Sequence, residues 1–324
     1  MSKRVTNRFG GALLRLLGSL VLVGLPLAPA SAQAVYGPTD EQIQPDKAPS
    51  GTARSNQSQT GWDGQLSVSA TYAKRARELV SDFDRSGVGA AAVLGHSFGS
   101  DWTRFRLEGS ASTDKYATTY GGEAELAQKL GKAVTARLTA SGTKHAVTLE
   151  SLDVDQATVR GGITASLGET RIEAYARLRW RRYNDASGGT GKGWQLGFHL
   201  RQNFGSHHWL ALSAAHDRIA DNSGFHGYRR SIASLDYSKP LTKRVRLIAG
   251  LERREWTYSG RHVGDIAAAP LRHDRLVRPD LGLSYGRSKG LYARATAGYD
   301  FYRSNDLRFS GDGPRLRLSV GFRF

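Results

Sequence analysis

Apolar and polar residues alternate along most of this chain. The pattern is plainest at the end, where Arg315 to Phe324 reads Arg-Leu-Arg-Leu-Ser-Val-Gly-Phe-Arg-Phe. Leu316, Leu318, Val320, Phe322 and Phe324 share one parity; Arg315, Arg317, Ser319, Gly321 and Arg323 share the other. Successive strand side chains point to opposite faces, so this segment reads as a strand with one apolar and one charged face. The same texture starts at Trp62 and recurs in stretches of about 10 to 14 residues separated by turn residues. Fourteen can be placed, at 62–74, 86–98, 102–113, 116–129, 133–145, 154–167, 170–183, 192–204, 208–218, 226–238, 243–257, 274–287, 290–303 and 314–324. The second, fourth and ninth are weaker because Ala and Gly replace larger residues, so the pattern fixes the number of strands only to within two.

The connections sort by length. Short ones sit at Gly99-Ser100-Asp101, Gly131-Lys132, Gly168-Glu169, Gly205-Ser206-His207, Pro240-Leu241-Thr242 and Ser288-Lys289. Longer ones lie around 75–85, 146–153, 184–191, 219–225, 258–273 and 304–313. Short turns at one end and long loops at the other are what a closed, antiparallel, up-and-down transmembrane β-barrel has, with the short set in the periplasm. A soluble sandwich has no reason to sort its loops this way. The tail resembles bacterial outer-membrane barrels, which commonly end in an alternating strand with a C-terminal aromatic. Phe322 and Phe324 are the residues that carry this likeness.

The apolar parity predicts the outer face. It holds Ile172, Ala174, Ala176, Leu178 and Trp180 in the seventh stretch, and Trp194, Leu196, Phe198 and Leu200 in the eighth. Later it holds Val277, Pro279, Leu281, Leu283 and Tyr285, then Leu291, Ala293, Ala295, Ala297, Tyr299 and Phe301. Trp62, Trp102, Trp180, Tyr183, Trp194, Trp209, Tyr237, Trp256, Tyr285 and Phe324 lie near stretch ends, as interfacial aromatic girdles would. The β-propensity of aromatics alone accounts for many of them. Pro279 lacks an N–H and is expected to force a local bulge.

The opposite parity predicts a basic inner wall. It carries Arg104, Arg106, Arg137, Arg160, Arg177, Arg179, Arg181, Arg201, Arg230, Arg246, Arg254, Arg278, Arg294, Arg315, Arg317 and Arg323. The acids on that parity are Glu108, Glu173, Asp236, Glu252, Asp280 and Asp300, so sixteen cations meet six carboxylates. In lipid each cation would cost about 2 to 4 kcal/mol near the midplane, so this face must look into water or protein. Part of the set can form a stiffening ladder, such as Arg278 beside Glu252 or Arg294 beside Asp280. The surplus favours an anionic solute or passenger, unless an internal plug neutralises it.

Charge and composition change this picture little. The formal net charge is +17 and the pI is about 10.3, which raises nucleic acid as a partner. The arginines are dispersed over alternate strand positions with no Lys/Arg run, zinc spacing or recognition helix, so none is expected. The mean hydropathy is negative, as it is for barrels that place apolar residues only at alternate positions. Lys3, Arg4, Arg8 and Arg15 precede an apolar Leu16 to Leu27 and a small-residue site at Ala30-Ser31-Ala32. That is a secretory signal over 1–32, cleaved near Ala32, with an uncleaved anchor as the alternative. Residues 33–61 are polar and rich in Gly, Pro, Ser and Gln, and are expected to be a flexible periplasmic linker that could also fold back into the barrel mouth. The barrel is expected over 62–324. With no Cys there are no disulfides.

Catalysis is not expected. There is no nucleophile elbow, no zincin motif and no metal-type Cys/His cluster, so neither a cofactor nor a metal is expected. A hydrolase site can be drawn only on paper, from Ser213 or Ser223 with His216.

Four segments carry a resemblance to a known family. They are Leu178-Arg179-Trp180-Arg181-Arg182-Tyr183-Asn184, Val245-Arg246-Leu247 through Arg253-Arg254-Glu255-Trp256, Arg278-Pro279-Asp280-Leu281-Gly282-Leu283-Ser284-Tyr285, and Tyr302-Arg303-Ser304-Asn305 before the last strand. Over roughly 62–324 the pattern resembles the C-terminal barrel of surface lipoprotein assembly modifiers. The resemblance implies a barrel of about fourteen strands in the bacterial outer membrane that helps a lipoprotein or other passenger reach the surface. That family typically carries an N-terminal helical repeat domain, and residues 33–61 are too few to form one. The resemblance transfers no catalytic or cargo-binding residue. The expected partners are outer-membrane lipid, barrel-assembly machinery acting on the C-terminal strand, and a lipoprotein or anionic polymer as passenger. A passive anion-preferring porin is the alternative.

Overall fold

The computed structural model describes residues 61–76, 83–84, 86–98, 103–114, 117–147, 154–183, 189–286 and 289–324. The signal expected over 1–32 lies outside them, as do Trp102 and the linker expected over 33–61 except for Gly61, which opens β1. The strands in chain order are β1 Gly61–Arg75, the two-residue β2 Phe83–Asp84, β3 Gly87–Phe98, β4 Thr103–Asp114 and β5 Ala117–Lys129. They continue with β6 Val134–Val147, β7 Val154–Leu167, β8 Thr170–Tyr183, β9 Thr190–Gly205 and β10 His208–Asp221. The last are β11 Tyr228–Pro240, β12 Val245–His262, β13 Leu271–Gly286, β14 Gly290–Ser304 and β15 Gly311–Arg323. Every neighbouring pair is antiparallel, and β15 returns to pair with β1, from Gln65 opposite Arg323 to Ala73 opposite Arg315. β2 is only a short hairpin on the loopward end of β1, so fourteen strands close the wall. Closure leaves no unpaired edge, which is the condition for a sheet to sit in hydrocarbon.

The first and last strand ends lie together. Gly64 and Phe324 exchange backbone hydrogen bonds, each N–H donating to the other's carbonyl at 3.0 Å. The short connections share this terminal end and the longer ones occupy the other, here called the loop end. One connection departs from the rule, since only two residues separate Asp114 from Ala117. In several strands the pattern extends beyond its sequence limits; β12 runs to His262 because Tyr258 and its neighbours rise above the expected boundary.

One parity of every long strand is bare. Leu178, Leu196, Leu281 and Leu291 are 53%, 55%, 56% and 59% exposed, and comparable residues continue round the barrel. A soluble monomer does not carry an apolar band of that extent, and hydrocarbon is the medium that accommodates it. Pro279 lies on this face. The register passes through it unshifted, with Val277 opposite Phe301 and Asp280 opposite Gly298, so the expected bulge does not form. Pairing with β14 is merely interrupted at 278 and 279, while pairing with β12 is continuous. An outward ring needs no room inside, and one missing ladder bond costs less than a slip that would turn every side chain over.

Three expected girdle aromatics point the other way. Tyr183 and Trp256 are buried, with Trp256 fully so, and Trp209 shares the inward parity of Ala211 and lies under Arg201. Nearness to a strand end suggested an interface, but parity decides the face. Trp62, Trp180, Trp194, Tyr285 and Phe324 are exposed on the outward parity.

Candidate permeation path

The inner face is built by register. Arg160 lies opposite Arg177, which lies opposite Gln195, and Glu252 lies opposite Arg278. Directly opposite residues share a face. Extending this parity places Arg104, Arg106 and Glu108 of β4, Arg137 of β6 and Arg160 of β7 inward, together with Glu173, Arg177, Arg179 and Arg181 of β8 and Arg201 of β9. Arg230 and Asp236 of β11, Arg246, Glu252 and Arg254 of β12, Arg278 and Asp280 of β13, and Arg294 and Asp300 of β14 follow. Arg315, Arg317 and Arg323 of β15 complete the set. All are buried or half-buried. Parity also brings in residues the sequence reading missed: Asp63, Arg75, Glu123, Glu125, Arg171, Asp217, Arg272 and Asp274. Glu123, Glu125 and Arg171 sat at alternate positions of stretches already assigned. Arg272 lay outside the twelfth stretch as drawn. The acids gained outnumber the cations gained, so the basic surplus shrinks without vanishing.

Paired charges cross-brace the wall at several heights. Glu173 accepts from Arg160 at 2.5 Å and lies 3.8 Å from Arg137. Arg278 donates to Asp300 at 2.6 and 3.0 Å and to Glu252 at 3.2 Å, and Arg254 reaches Glu252 at 2.9 Å. Arg106 pairs with Glu108 at 2.7 Å, and Arg104 with Asp63 at 2.6 Å. Arg294 and Asp280 form no such rung; the residue opposite Arg294 is Ser284.

Towards the loop end a denser layer hugs β8 to β14. Asp217, fully buried, accepts from Arg230 at 2.5 Å and Arg179 at 3.1 Å. Arg181 donates to Gln156 at 2.8 Å. Asp274 receives Arg272 at 2.6 Å and the Tyr302 hydroxyl at 2.6 Å. Arg272 also stacks over Phe309, and Arg75 over Tyr302. Tyr183 stacks on His226, with ring centroids 3.9 Å apart. Guanidinium-on-aromatic stacking lets arginines be buried beside apolar rings, because both faces of the ion find partners. Among the described residues, every extensive contact between elements runs between neighbours round the wall, and no element crosses the lumen.

A different set is left without carboxylates. Among the described residues Arg171, Arg177, Arg201, Arg246, Arg294 and Arg315 make no salt bridge. Arg171 and Arg201 lie directly opposite one another on β8 and β9. Arg201 is held over Trp209 and to Asn203 at 3.0 Å, and Arg246 to Ser284 at 3.4 Å. Arg246 is near enough to Arg294 and Arg323 for their charges to interact. Most of these arginines lie in the terminal half of the barrel, so positive charge concentrates there. His207, in the turn at that end, is shifted below the usual imidazole value by burial and then by Arg246 and Arg201.

The paper hydrolase does not assemble. Ser213 faces the lumen, its hydroxyl 2.7 Å from Nδ1 of His199, whereas His216 is exposed on the outer face beside Ser231 at 3.0 Å. Ser223 bonds Asp221. Among the described residues no group of three or more His, Asp and Glu is placed to hold a metal.

No family model matches the sequence, and no curated protein matches it. Solved structures match the fold. A bacterial polysaccharide outer membrane secretin covers 81% of this chain and 98% of its own, at 8% identity and TM-score 0.51. A deletion mutant of the monoaromatic hydrocarbon channel TodX covers 81% and 90%, at 11% identity and TM-score 0.50. The channel DcaP of Acinetobacter baumannii covers 82% and 96%, at 10% identity and TM-score 0.46. At such identities the likeness is one of fold: this chain has the closed antiparallel barrel of outer-membrane proteins.

Proposed function

We propose that this chain is an outer-membrane transport barrel whose arginine-lined lumen passes anionic solutes or an anionic passenger. The observation that carries the reading is the set of inward arginines with no salt bridge among the described residues, above all the directly opposed Arg171 and Arg201 with Arg246. Like charges facing one another cost stability, and an anion between them removes that cost. The bare apolar band supports the membrane location, and the solved structures that share the fold include a monoaromatic hydrocarbon channel and a polysaccharide outer membrane secretin. The narrower role of bringing a protein to the surface, as in surface lipoprotein assembly modifiers, rests on the sequence resemblance alone. Handling of the C-terminal strand by barrel-assembly machinery belongs to the same proposal.

The test is ion selectivity of the refolded barrel in a planar bilayer under a salt gradient. The wild type should reverse on the anion-selective side. The triple variant R171Q/R201Q/R246Q should lower the anion-to-cation permeability ratio by about twofold or more while folding normally. Arg179 and Arg181 are poor targets, because they already serve Asp217 and Gln156. Unchanged selectivity in the triple variant, or a cation-selective wild type, sinks the reading.

A further inference from the structure

The cations considered so far point inward. A second set points out. Arg182, Arg218, Arg229, Arg253, Arg275 and Arg303 occupy the outward parity of β8 and β10 to β14, near the loop end, and all are exposed. Apart from Arg253, which lies level with Val277, they begin where the apolar band stops. Arg218 lies opposite Trp194, and Arg182 and Arg303 follow Trp180 and Phe301 by two residues on the same face. On the other half of the barrel the corresponding described positions are largely uncharged, with Tyr72, Val88, Thr113, Thr118 and Ala157, and among the described residues Lys74, Lys144, Asp155 and Asp312 interrupt them.

This belt is poorly explained from within. Arg218 stands directly opposite Arg229, and Arg275 directly opposite Arg303. Like charges directly opposite on one face of a sheet are destabilising. Arg253 pairs with Glu255, which also lies directly opposite Arg275, and Arg303 is engaged through both terminal nitrogens by Asp312, so Arg218 and Arg229 are the open pair. Among the described residues Arg182, Arg218, Arg229 and Arg275 make no salt bridge at all. What the arrangement suits is a ligand with an apolar part below the belt and an anionic group at its level. A guanidinium binds phosphate through paired N–H donors, so two opposed arginines make a clamp for one.

We propose that this face is a docking surface for a phosphorylated glycolipid of the outer leaflet, with its acyl chains on the apolar band and a phosphate between Arg218 and Arg229. The inference rests on the reading of the chain as an outer-membrane barrel. It predicts a lipid-facing side with preferred headgroup chemistry, confined to β8 to β14.

The experiment uses the refolded barrel in detergent micelles, titrated with diphosphorylated lipid A and followed by native mass spectrometry. Two comparisons run beside it, lipid A stripped of its phosphates and phosphatidylglycerol. The variants are R218Q/R229Q/R275Q and the matching triple Lys variant. Wild type should retain diphosphorylated lipid A at least about tenfold better than the phosphate-free form, and the Gln variant should lose that preference. The Lys variant should keep part of it, since charge remains but the planar fork is gone. Equal retention of the two lipid A forms by wild type overturns the proposal, as does an unchanged preference in the Gln variant. Phosphatidylglycerol competing as well as lipid A also overturns it, because the surface would then read charge alone. Insertion of wild type into neutral liposomes is measured first: failure there sinks the membrane reading, whereas insertion without phosphate preference sinks only the docking surface. Should the Gln variant not fold, the wild-type comparison of the two lipid A forms decides.

Discussion

Asp217 concentrates the argument at the scale of the residue. It is fully buried and neutralises two arginines from two different strands, Arg179 of β8 and Arg230 of β11. Asp217→Asn keeps the shape and removes the charge, leaving two buried guanidinium groups facing an amide. Removing one partner from a buried pair typically costs about 3–5 kcal/mol. The variant should unfold at clearly lower urea in detergent, and an unchanged midpoint would mean that water reaches this cluster. Asp306 makes a second case, in the loop before β15. Burial raises its carboxyl, but the Arg308 guanidinium and the backbone N–H groups of Gly264 and Arg308 outweigh that and hold it below the usual value. A carboxyl lowered in the folded state adds stability that is full above its unfolded value and is lost as pH falls through the folded one. The amide protection of Gly264 and Arg308 should therefore exceed that in Asp306→Asn near neutrality. The two proteins should converge only at pH well below the ordinary Asp value. Comparison at equal pH cancels the intrinsic exchange rate.

At the scale of the element, alternation sets the face of a residue but says little about how the strand meets its neighbours. Pro279 illustrates this. Its missing N–H suggested a bulge, yet the strand keeps register and gives up pairing with β14 over two residues. Pro279→Val should restore a ladder bond on an outward face with ample room, raising stability by about 0.5–1.5 kcal/mol in equilibrium unfolding. A loss instead would mean that the proline's fixed φ matters more than the bond. The end aromatics teach a similar lesson. Trp256 and Tyr183 looked interfacial by position but belong to the layer inside the wall, because parity, once fixed by the paired strands, outranks nearness to an end.

At the scale of the whole barrel, two kinds of arginine separate. Those paired with Asp217, Glu252, Asp300 and Glu173 brace the wall, and their loss should lower stability. Arg171, Arg201 and Arg246 are not so engaged, and their joint change to Gln should alter selectivity while leaving heat-modifiable migration intact. The outward belt adds a third function for the same side chain, in which exposure and like-charge pairing favour a ligand. One residue type thus serves structure, passage and lipid contact, and only its place on the cylinder distinguishes them.

From the sequence alone came the closed barrel of about fourteen strands, the bare outer face and most of the basic inner one. All of these follow from a period of two repeated over the chain, and parity is a local property that each stretch carries alone. Which arginines are neutralised was decided only by the tertiary structure. Asp217 meets Arg179 across the intervening β9, and Arg278 reaches Asp300 on one side and Glu252 on the other. Those meetings depend on register between strands, and register is set by closure of the whole sheet. A charge on an alternating strand has a face from its sequence, but it has a partner only once the barrel is shut.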